Sequence, residues 1–404
     1  MQSITSRVRK QLSPLVLLTL SLVLAAPLYA QTFTVLESFN GSDGNLPGSP
    51  ILDRAGNIYG STQTGGAGGS GNVYKLAHAG SGYVLDSLYN LNFREDGAYP
   101  LGALTFGPDG VLYGTASQGD DGNGSIFKLQ PPAIFCRSIT CPWNITILYH
   151  FGNGLGNDAS HPNGNVVFDS AGNMYGTSLN GGTGSYGAAF ELTNVGGTWT
   201  ESRIVSFTYG IHPTAGVVLD GAGNLYGTTS GGGANGWGTV YKLIPESFGF
   251  EVQVLYSFQN QSDGNTPYGG LVIDNAGDLY GSTAKGGQNG GGTIFELSPS
   301  NGGWTFNLLY SLSGLMGPEA SLTFDAAGNL YGTTSADGTH DDGSVFELSP
   351  SNGGWIYTDL HNFTGGSDGS DPVSSVVLDA NGNIFGTASK GGPDGAGTVF
   401  EIAP

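Results

Sequence analysis

A six-residue unit recurs seven times along the chain and constrains its fold more than any other feature. The clearest copy spans residues 224–229 and reads Asn-Leu-Tyr-Gly-Thr-Thr. The aromatic residues of the seven copies are Tyr59, Tyr113, Tyr175, Tyr226, Tyr280, Tyr331 and Phe385. Consecutive copies lie 51 to 54 residues apart, except for one interval of 62. A fixed period of this size indicates a repeat architecture whose units stack on one another.

Each repeat contains four short runs rich in β-branched and aromatic residues. In the fourth repeat the runs cover residues 216–220, 224–229, 238–243 and 250–258, and Gly, Asn, Asp and Pro separate them. Runs of this kind indicate strands joined by turns. Four strands in every ~50 residues are typical of a propeller blade, so the sequence predicts an all-β, seven-bladed β-propeller with four antiparallel strands per blade.

The two ends of the predicted domain, residues 31–404, complement each other. Residues 34–39 align with the fourth strand of a blade, whereas residues 397–402 align with a third strand and only two residues follow them. We therefore expect the N-terminal strand to complete the last blade. This pairing would close the ring and remove an open sheet edge.

Residues 1–30 have the pattern of a secretory signal peptide. Arg7, Arg9 and Lys10 precede an apolar run over residues 15–27, and Ala30 offers a cleavage point. The run is short for a stable membrane span, and an uncleaved N-terminal anchor is the alternative. We expect cleavage near Ala30, a secreted or periplasmic location, and a monomeric mature chain without a membrane span.

Charge limits the partners of the mature chain. Removing residues 1–30 deletes three of the 12 basic residues and none of the 32 acidic ones, so the formal charge changes from −20 to −23. An acidic surface repels phosphate backbones, so we expect no nucleic-acid partner. A calcium ion, a basic protein or a neutral glycan remains compatible with this charge.

The single long interval contains both cysteines, Cys136 and Cys141. In an exported protein a close pair predicts a disulfide, and no second Cys or His pair lies nearby to complete a zinc site. We expect the disulfide to hold an enlarged turn between the third and fourth strands of the second repeat. Closing so short a loop should stabilise the fold by roughly 2 kcal/mol.

One face of the propeller should bring together two sets of loops: those that join strands two and three, and those that join successive blades. The inter-blade loops carry a Ser-Asp-Gly-x-x-Pro motif or a variant of it, and their candidate ligand-binding residues are Asp43, Asp96, Asp263 and Asp368. The Gly-rich loops between strands two and three add Asp120, Asp121, Asp337, Asp341, Asp342, Asp394, Tyr186, Trp237 and His340. Loops on a rigid scaffold often carry function, and Tyr186 and Trp237 are further ligand-binding candidates.

Two interpretations of the acidic loops remain open. Carboxylates and carbonyl oxygens in one ring of loops are ligands that calcium prefers. The competing interpretation is a rigid turn, in which Asp caps the loop and Pro fixes its exit. We also interpret the turn between strands one and two, for example residues 220–224, as a rigid turn capped by its Asp. The hexad Tyr should pack between blades, and the Gly after it should leave room for a neighbouring backbone.

Catalytic motifs are weak. Residues 66–71 match a dinucleotide-binding pattern but precede a strand, and residues 365–369 match a nucleophile elbow without the required strand–turn–helix context. The six His residues are scattered. We predict no catalytic residue and no cofactor other than the calcium considered above.

The repeated unit resembles the GloVer (Gloeo/Verruco) tandem repeat of secreted bacterial proteins. The resemblance rests on Asp-x-x-Gly-Asn-Leu-Tyr-Gly-Thr-Thr, a Gly-rich loop and then Gly-Thr-Val-Phe-Glu-Leu, and it extends over about residues 33–402. It implies no established activity and no catalytic residues. Members often have a C-terminal surface anchor, which we do not expect here because Pro404 follows a strand directly. Phe385 and Val111 depart from the unit and are compatible with structural roles.

Two classes of function remain open. The first is a secreted, non-enzymatic binding or interaction scaffold for a glycan or a protein. The second is a propeller lyase or lactonase-like hydrolase with a metal at the central channel. Near-equal repeats favour the first class, because an enzyme site needs unlike residues from different blades. The side chains at the channel mouth should discriminate, since an enzyme would show an asymmetric carboxylate and histidine cluster there.

Overall fold

The computed structural model describes residues 31–80, 82–119, 122–132, 143–152, 158–208, 211–247 and 249–404. These residues form seven antiparallel sheets, which are the seven blades of a propeller. The predicted fold class is confirmed. Within the described ranges, no helix is long and apolar enough to cross a membrane. Several of the predictions concern residues outside these ranges, namely residues 1–30, Asp120, Asp121, Cys136 and Cys141.

Each blade runs outward from a two-residue strand at the channel to a long strand at the rim. The strands of blades four to six are Val218–Leu219, Leu225–Thr229, Thr239–Glu246 and Gly249–Ser257; Val272–Ile273, Leu279–Thr283, Thr293–Ser300 and Gly303–Ser311; Thr323–Phe324, Leu330–Thr334, Ser344–Ser351 and Gly354–Asn362. Those of blade two are Thr105–Phe106, Leu112–Ala116, Ser125–Gln130 and Asn144–His150.

Blades one and three contain one additional short strand each, formed by the inter-blade loop. Their strands are Asn45–Pro47, Ile51–Leu52, Ile58–Thr64, Asn72–Ala79 and Gly82–Asn90; Ala159–Pro162, Val167–Phe168, Met174–Gly181, Ala188–Val195 and Thr198–Ser206. In both blades the additional strand pairs with the same strand as the two-residue inner strand does. The loop therefore extends the inner edge of the blade toward the face that carries the loops.

The N-terminal strand completes the last blade. Thr32–Ser38 pairs antiparallel with Thr398–Ala403, with Phe33 opposite Ile402. Val377–Leu378 and Ile384–Ala388 supply the two inner strands of this sheet. The predicted closure of the ring is confirmed. Pairing the two ends of the domain satisfies backbone groups that would otherwise form an exposed sheet edge.

Apolar clusters fill the spaces between neighbouring blades. Tyr226 of blade four, only 4% exposed, lies in one cluster with Leu279 and Phe295 of blade five. Phe258, which directly follows the fourth strand of blade four, belongs to the same cluster. The ring of Tyr226 also meets the indole of Trp304 edge-on, with 6.1 Å between the ring centroids. The prediction that the hexad aromatic packs between blades is confirmed. Burying such a ring removes a large apolar area from water, so each interface stabilises the closed ring.

The glycine after the hexad aromatic makes room for a side chain, which corrects the expectation that it accommodates a neighbouring backbone. Gly281 lies opposite Phe295 on the paired third strand. A Cβ at Gly281 would lie only 2.7 Å from Cζ of Phe295. The absent side chain allows the ring of each third strand to lie across the sheet.

The Asp of the turn between strands one and two organises that turn, as predicted. Oδ1 of Asp220 accepts the N–H groups of Ala222 and Asn224, both at 2.9 Å. Oδ2 accepts bonds from Asn224 Nδ2 at 2.7 Å and from Tyr226 Oη at 3.0 Å. Burial disfavours the carboxylate, but these bonds outweigh it and lower the pKa of Asp220. The hexad Tyr thus anchors the turn as well as the interface.

The fifth hexad residue binds the next blade. Thr228 Oγ1 donates a hydrogen bond of 2.8 Å to the carbonyl of Gly269 in blade five. Equivalent bonds run from Ser61, Thr115, Thr177, Thr333 and Thr387 to the carbonyls of Pro100, Gly164, Ala215, Ser374 and Gly48. The accepting carbonyls lie just before the innermost strand of the next blade. The repeated hydroxyl therefore fixes the segment that lines the channel.

The rims of neighbouring blades also meet, through one side chain from each fourth strand. Tyr256 of blade four stacks on Phe306 of blade five, with 4.4 Å between the ring centroids. Tyr310 stacks in the same way on Tyr357 of blade six, at 4.5 Å. These stacked rings close the interface on its outer side.

Blade three places a carboxyl group at this rim position. Glu201 lies opposite Leu192, in the register that Phe306 and Tyr357 occupy in their blades. Oε1 of Glu201 is buried and has no hydrogen-bond partner among the described residues. Burial, with the nearby charge of Asp158, raises the pKa of Glu201 to about 7, although Arg203 opposes the shift.

Replacing Glu201 should therefore change how stability depends on pH. A raised pKa means that the folded state binds the proton more tightly than the unfolded chain, so stability is lost as pH rises from about 4.5 through 7. Full burial would make such a shift worth roughly 3 kcal/mol, and partial exposure reduces it to on the order of 1 kcal/mol. Glu201→Gln should raise the melting temperature relative to the parent at pH 8 and less so at pH 5.

The matched control is Glu251→Gln, on an exposed side chain of the fourth strand in blade four. Its melting temperature should follow that of the parent at both pH values. An equal effect of Glu201→Gln at pH 5 and pH 8 would contradict the assignment of a raised pKa to this carboxyl group.

Candidate functional site

The inter-blade loops are locked to the Gly-rich loops of the preceding blade. In five blades the residue before the loop proline has a left-handed backbone; these residues are Leu46, Tyr99, His161, Thr266 and Asp371, with φ of 55° to 57°. The N–H of Thr266 donates a 3.0 Å bond to the carbonyl of Trp237. Left-handed non-glycine residues are uncommon. The inter-blade hydrogen bond and the following proline stabilise the left-handed backbone of Thr266. The prediction that both loop sets share one face is confirmed.

One glycine allows this close approach. Gly238 has φ of 104°, and a Cβ there would lie 2.6 Å from Cδ of Pro267. Both the backbone conformation and the space favour glycine at this position. The proline therefore packs directly on the end of the preceding Gly-rich loop, and the chain then turns into the channel.

The residue after each loop proline lies at the mouth of the central channel and differs in every blade. The seven residues, called the channel-mouth ring below, are Gly48, Leu101, Asn163, Thr214, Tyr268, Glu319 and Val373. With their neighbours they line a cavity of about 370 Å³, to which all seven blades contribute, and an adjoining cavity of about 340 Å³. Unlike side chains thus meet in one place although the repeats are otherwise similar.

The channel-mouth ring has a polar half and an apolar half. Blades three to six supply Asn163, Thr214, Tyr268 and Glu319, and we call these four residues the polar arc. Blades seven, one and two supply Val373, Gly48 and Leu101, which form the apolar arc. Each arc is continuous because successive blades adjoin around the ring. A bound molecule would therefore meet hydrogen-bonding groups on one side and apolar groups on the other.

Hydrogen bonds between blades order part of the polar arc. Asn163 Nδ2 donates to the carbonyl of Thr214 at 2.7 Å, and Thr214 Oγ1 donates to the carbonyl of Tyr268 at 3.0 Å. Side chains held in this way are pre-organised for binding, because they lose less freedom when a ligand arrives.

Glu319 is the one carboxylate among the described residues that line the larger cavity. Burial raises the pKa of its carboxyl group, and the charge of Asp371 acts in the same direction. A 2.9 Å hydrogen bond from Ser335 Oγ to Oε1 opposes the shift, as do the charges of Lys285 and Lys390. The group combines a hydrogen-bond acceptor with a partly desolvated position, where polar contacts to a ligand are strengthened.

Blade five holds the segment before Glu319 differently from the other interfaces. The hydroxyl of Ser282, which corresponds to Thr228, is buried without a hydrogen-bond partner among the described residues. Instead, the N–H of Gly317 donates to the carbonyl of Ala284 at 2.9 Å. The channel segment with the carboxylate is therefore the one that departs from the common attachment.

The four predicted Asp residues cap their own loops. Oδ2 of Asp263 accepts bonds from the N–H of Gln259 at 2.8 Å and from Tyr256 Oη at 3.0 Å, and its side chain is buried. The other three accept loop N–H groups in the same way: Asp43 from Asn40, Asp96 from Asn92, and Asp368 from Thr364. None of the four lines either cavity of the channel mouth. This geometry matches the rigid-turn interpretation.

Calcium binding remains a prediction. In the described part of the chain, no three Asp, Glu, His or Cys side chains converge on a common point suited to a metal ion. The acidic loops are close in the fold, yet their carboxylates point to different local amides.

Trp237 and Tyr186 lie in Gly-rich loops outside both cavities. The Trp237 side chain is 42% exposed. Tyr186 is half-buried and meets His212 edge-on, with 6.2 Å between the ring centroids. The structure does not bring these two side chains together with the four Asp residues or with the polar arc.

The channel-mouth ring was not predicted from the sequence. The residues that form it lie about 50 positions apart, and none belongs to a motif with a known chemistry. A signal was nevertheless present. When the seven inter-blade loops are aligned on their prolines, the residue after the proline is different in every one.

Sequence comparison agrees with the repeat pattern. The profile of the Gloeobacter/Verrucomicrobia repeat matches the chain three times, over residues 23–138, 137–323 and 305–404. These matches together cover almost the entire sequence. No curated protein matches the chain with significant similarity.

Solved structures share the fold at low sequence identity. Virginiamycin B lyase from Staphylococcus aureus, in its selenomethionine form, has a TM-score of 0.59 and 13% identity, over 93% of this chain and 99% of the lyase. A catalytically inactive variant of that lyase with quinupristin gives a TM-score of 0.59 at 14% identity, over the same shares of both chains. At such identities the likeness shows the propeller fold alone.

Two substitutions separate capping residues from ligand-binding candidates. Asp263→Ala removes a buried carboxylate and leaves the Tyr256 hydroxyl and two loop amides without their acceptor, so it should destabilise the protein by roughly 2 to 4 kcal/mol. Trp237→Ala, at an exposed side chain, should cost less than about 1 kcal/mol. Chemical denaturation of both variants measures the difference.

Asp394→Ala is the matched control, because this Asp is exposed in a Gly-rich loop. It should leave the unfolding midpoint close to that of the parent. If Asp263→Ala is as stable as Asp394→Ala, the carboxylate of Asp263 is not a structural cap, and a ligand role regains support.

Proposed function

The chain belongs to the Gloeobacter/Verrucomicrobia repeat family, and we propose that it is an exported, non-enzymatic protein that binds a glycan end group at its channel mouth. One observation supports this most directly. The position after the loop proline carries seven different residues in the seven repeats, and these residues meet at the mouth of the channel.

The seven unlike residues of the channel-mouth ring favour one small ligand. The structural positions of the repeat keep similar residues because each blade needs the same turn, the same interface and the same loop attachment. The channel-mouth ring has no such constraint, since it accepts residues as different as Gly48, Tyr268 and Glu319. Seven equivalent contacts to a symmetric partner would call for like residues. Seven unlike residues around one cavity suit a single asymmetric molecule.

The chemistry of the polar arc suits a polyhydroxylated molecule. The amide, the hydroxyl and the phenol can both donate and accept hydrogen bonds, and the carboxylate accepts them, as the hydroxyl groups of a sugar require. The ring of Tyr268 adds an apolar surface with a polar tip, which is common in binding sites. A cavity of about 370 Å³ is adequate for one or two sugar rings, since small-molecule pockets begin at roughly 300 Å³.

Charge and location fit the same proposal. The apolar run before Ala30 supports export, which would place the binding face outside the cytoplasm. A formal charge of −20 on the full chain disfavours anionic ligands. A neutral glycan therefore suits this surface better than a phosphorylated or sulfated one.

A lyase or lactonase-like hydrolase remains the alternative class. Such an enzyme needs several catalytic or metal-binding groups that act together at the channel. The larger cavity offers Glu319 as its single carboxylate among the described residues, and no His lines it there. This composition favours binding over turnover, and the alternative is kept as an outcome of the test.

Glycan-array binding of the mature protein, with and without calcium, would identify the ligand. Glu319→Gln and Tyr268→Ala should each weaken binding of the best array ligand about 10-fold or more, because each removes a contact of the polar arc. The melting temperature should change little, since both side chains are only partly buried at the channel mouth. Isothermal titration calorimetry gives the affinities.

Glu246→Gln is the matched control, an exposed glutamate at the turn on the opposite face. It should bind as the parent does. If both channel variants retain parental affinity while the opposite-face variant loses it, the binding site is misplaced. Conversion of the ligand during incubation, seen by NMR, would favour the enzyme class.

A further inference from the structure

A second cavity adjoins the channel mouth on its apolar side, above blade one. It has a volume of about 340 Å³ and is called the side cavity below. Leu46, Pro47, Pro100, Leu101 and Val373 supply its apolar walls. It shares three lining residues with the larger cavity, so the two cavities adjoin.

Gly48 lines the side cavity and is the one member of the channel-mouth ring that has no side chain. The backbone does not require glycine there, since its φ lies outside the left-handed region. A Cβ at Gly48 would lie 3.6 Å from Ser61 Oγ, which is an ordinary contact distance. The neighbouring blades carry Leu101 and Val373 at the equivalent position, so the fold accepts larger residues. The fold therefore does not require glycine at position 48.

The charged groups at the side cavity are largely compensated. Lys390 Nζ lies 2.9 Å from Asp371 Oδ2, and Ser389 Oγ donates a 3.2 Å bond to the same oxygen. Gln63 adds a neutral amide to the lining. A compensated ion pair at the edge leaves the apolar walls as the dominant contact for a bound group.

We infer that the side cavity takes the apolar substituent of an amphipathic glycoside, an aryl or short alkyl group, while its sugar contacts the polar arc. This inference rests on the proposed function and names its ligand class. The apolar arc and the polar arc face each other across one mouth, which matches a molecule with one apolar and one hydroxylated end. The volume is sufficient, because an apolar cavity of roughly 150 Å³ already binds benzene.

The experiment compares two glycosides of the same sugar, one methyl and one 4-nitrophenyl, by isothermal titration calorimetry. The sugar is the one identified by the array. The affinity of the parent for the 4-nitrophenyl glycoside should be at least about 10-fold higher than for the methyl glycoside, because the aryl ring buries apolar surface in the side cavity. Gly48→Leu should abolish this preference while leaving the affinity for the methyl glycoside within about two-fold.

Two further variants protect the interpretation. Gly48→Ala adds a single methyl group at ordinary contact distance and should reduce the aryl preference partly without affecting the fold. Gly221→Leu is the matched control, because a Cβ there meets nothing within 4 Å and the turn lies on the opposite face. It should retain the full aryl preference. Melting temperatures of all variants show whether each is folded.

Each outcome decides one of the two proposals. Equal affinity of the parent for both glycosides would overturn the assignment of the side cavity and leave the proposed glycan site intact. An aryl preference that persists in Gly48→Leu would overturn it too, because the ring would then bind elsewhere. Failure of the parent to bind either glycoside would overturn the proposed function and this inference with it.

Discussion

The hydrogen bond from the fifth hexad residue to the next blade is the interaction on which the channel depends. In the bond from Thr228 to Gly269, a buried hydroxyl on one blade holds a carbonyl in the segment that the next blade presents to the channel. Breaking such a bond would leave two buried polar groups unsatisfied, which costs more than the bond itself contributes. The repeated bond therefore fixes where each channel segment lies, and the packing of the hexad aromatic fixes how far apart the blades are.

This division of roles explains how a regular repeat can form an irregular site. The residues that hold the ring together recur from blade to blade, because every interface has the same geometry. The residue after the loop proline contributes little to that geometry and is free to differ. The interface before blade six is informative, since Ser282 lacks the common bond where Glu319 enters the channel. A different attachment there accompanies the one carboxylate that lines the larger cavity in the described part of the chain.

The sequence predicted the architecture well because the architecture repeats. Seven spaced copies of the hexad give the blade number, and the complementary ends give the pairing of Phe33 with Ile402. The role of Asp220 was also predictable, because turn chemistry acts over four residues. The candidate site could not be predicted in the same way, since the channel-mouth ring is assembled from positions about 50 residues apart. The sequence instead predicted ligand binding by the acidic loops. The carboxylate of Asp263, however, accepts hydrogen bonds from its own loop. The role of the hexad glycine could not be predicted, because the sequence does not show that an aromatic ring of the third strand lies beside it. The predicted Cys136–Cys141 disulfide lies outside the described residues.

A crystal structure of the mature protein with a bound 4-nitrophenyl glycoside would test the central claim most directly. We expect the sugar between Tyr268 and Glu319, within hydrogen-bond distance of the polar arc, and the aryl ring above Gly48. All seven blades should superpose on the unliganded ring, because the site is assembled before the ligand arrives. Ligand density beside Trp237 in the Gly-rich loops, or on the face opposite the channel mouth, would contradict the account.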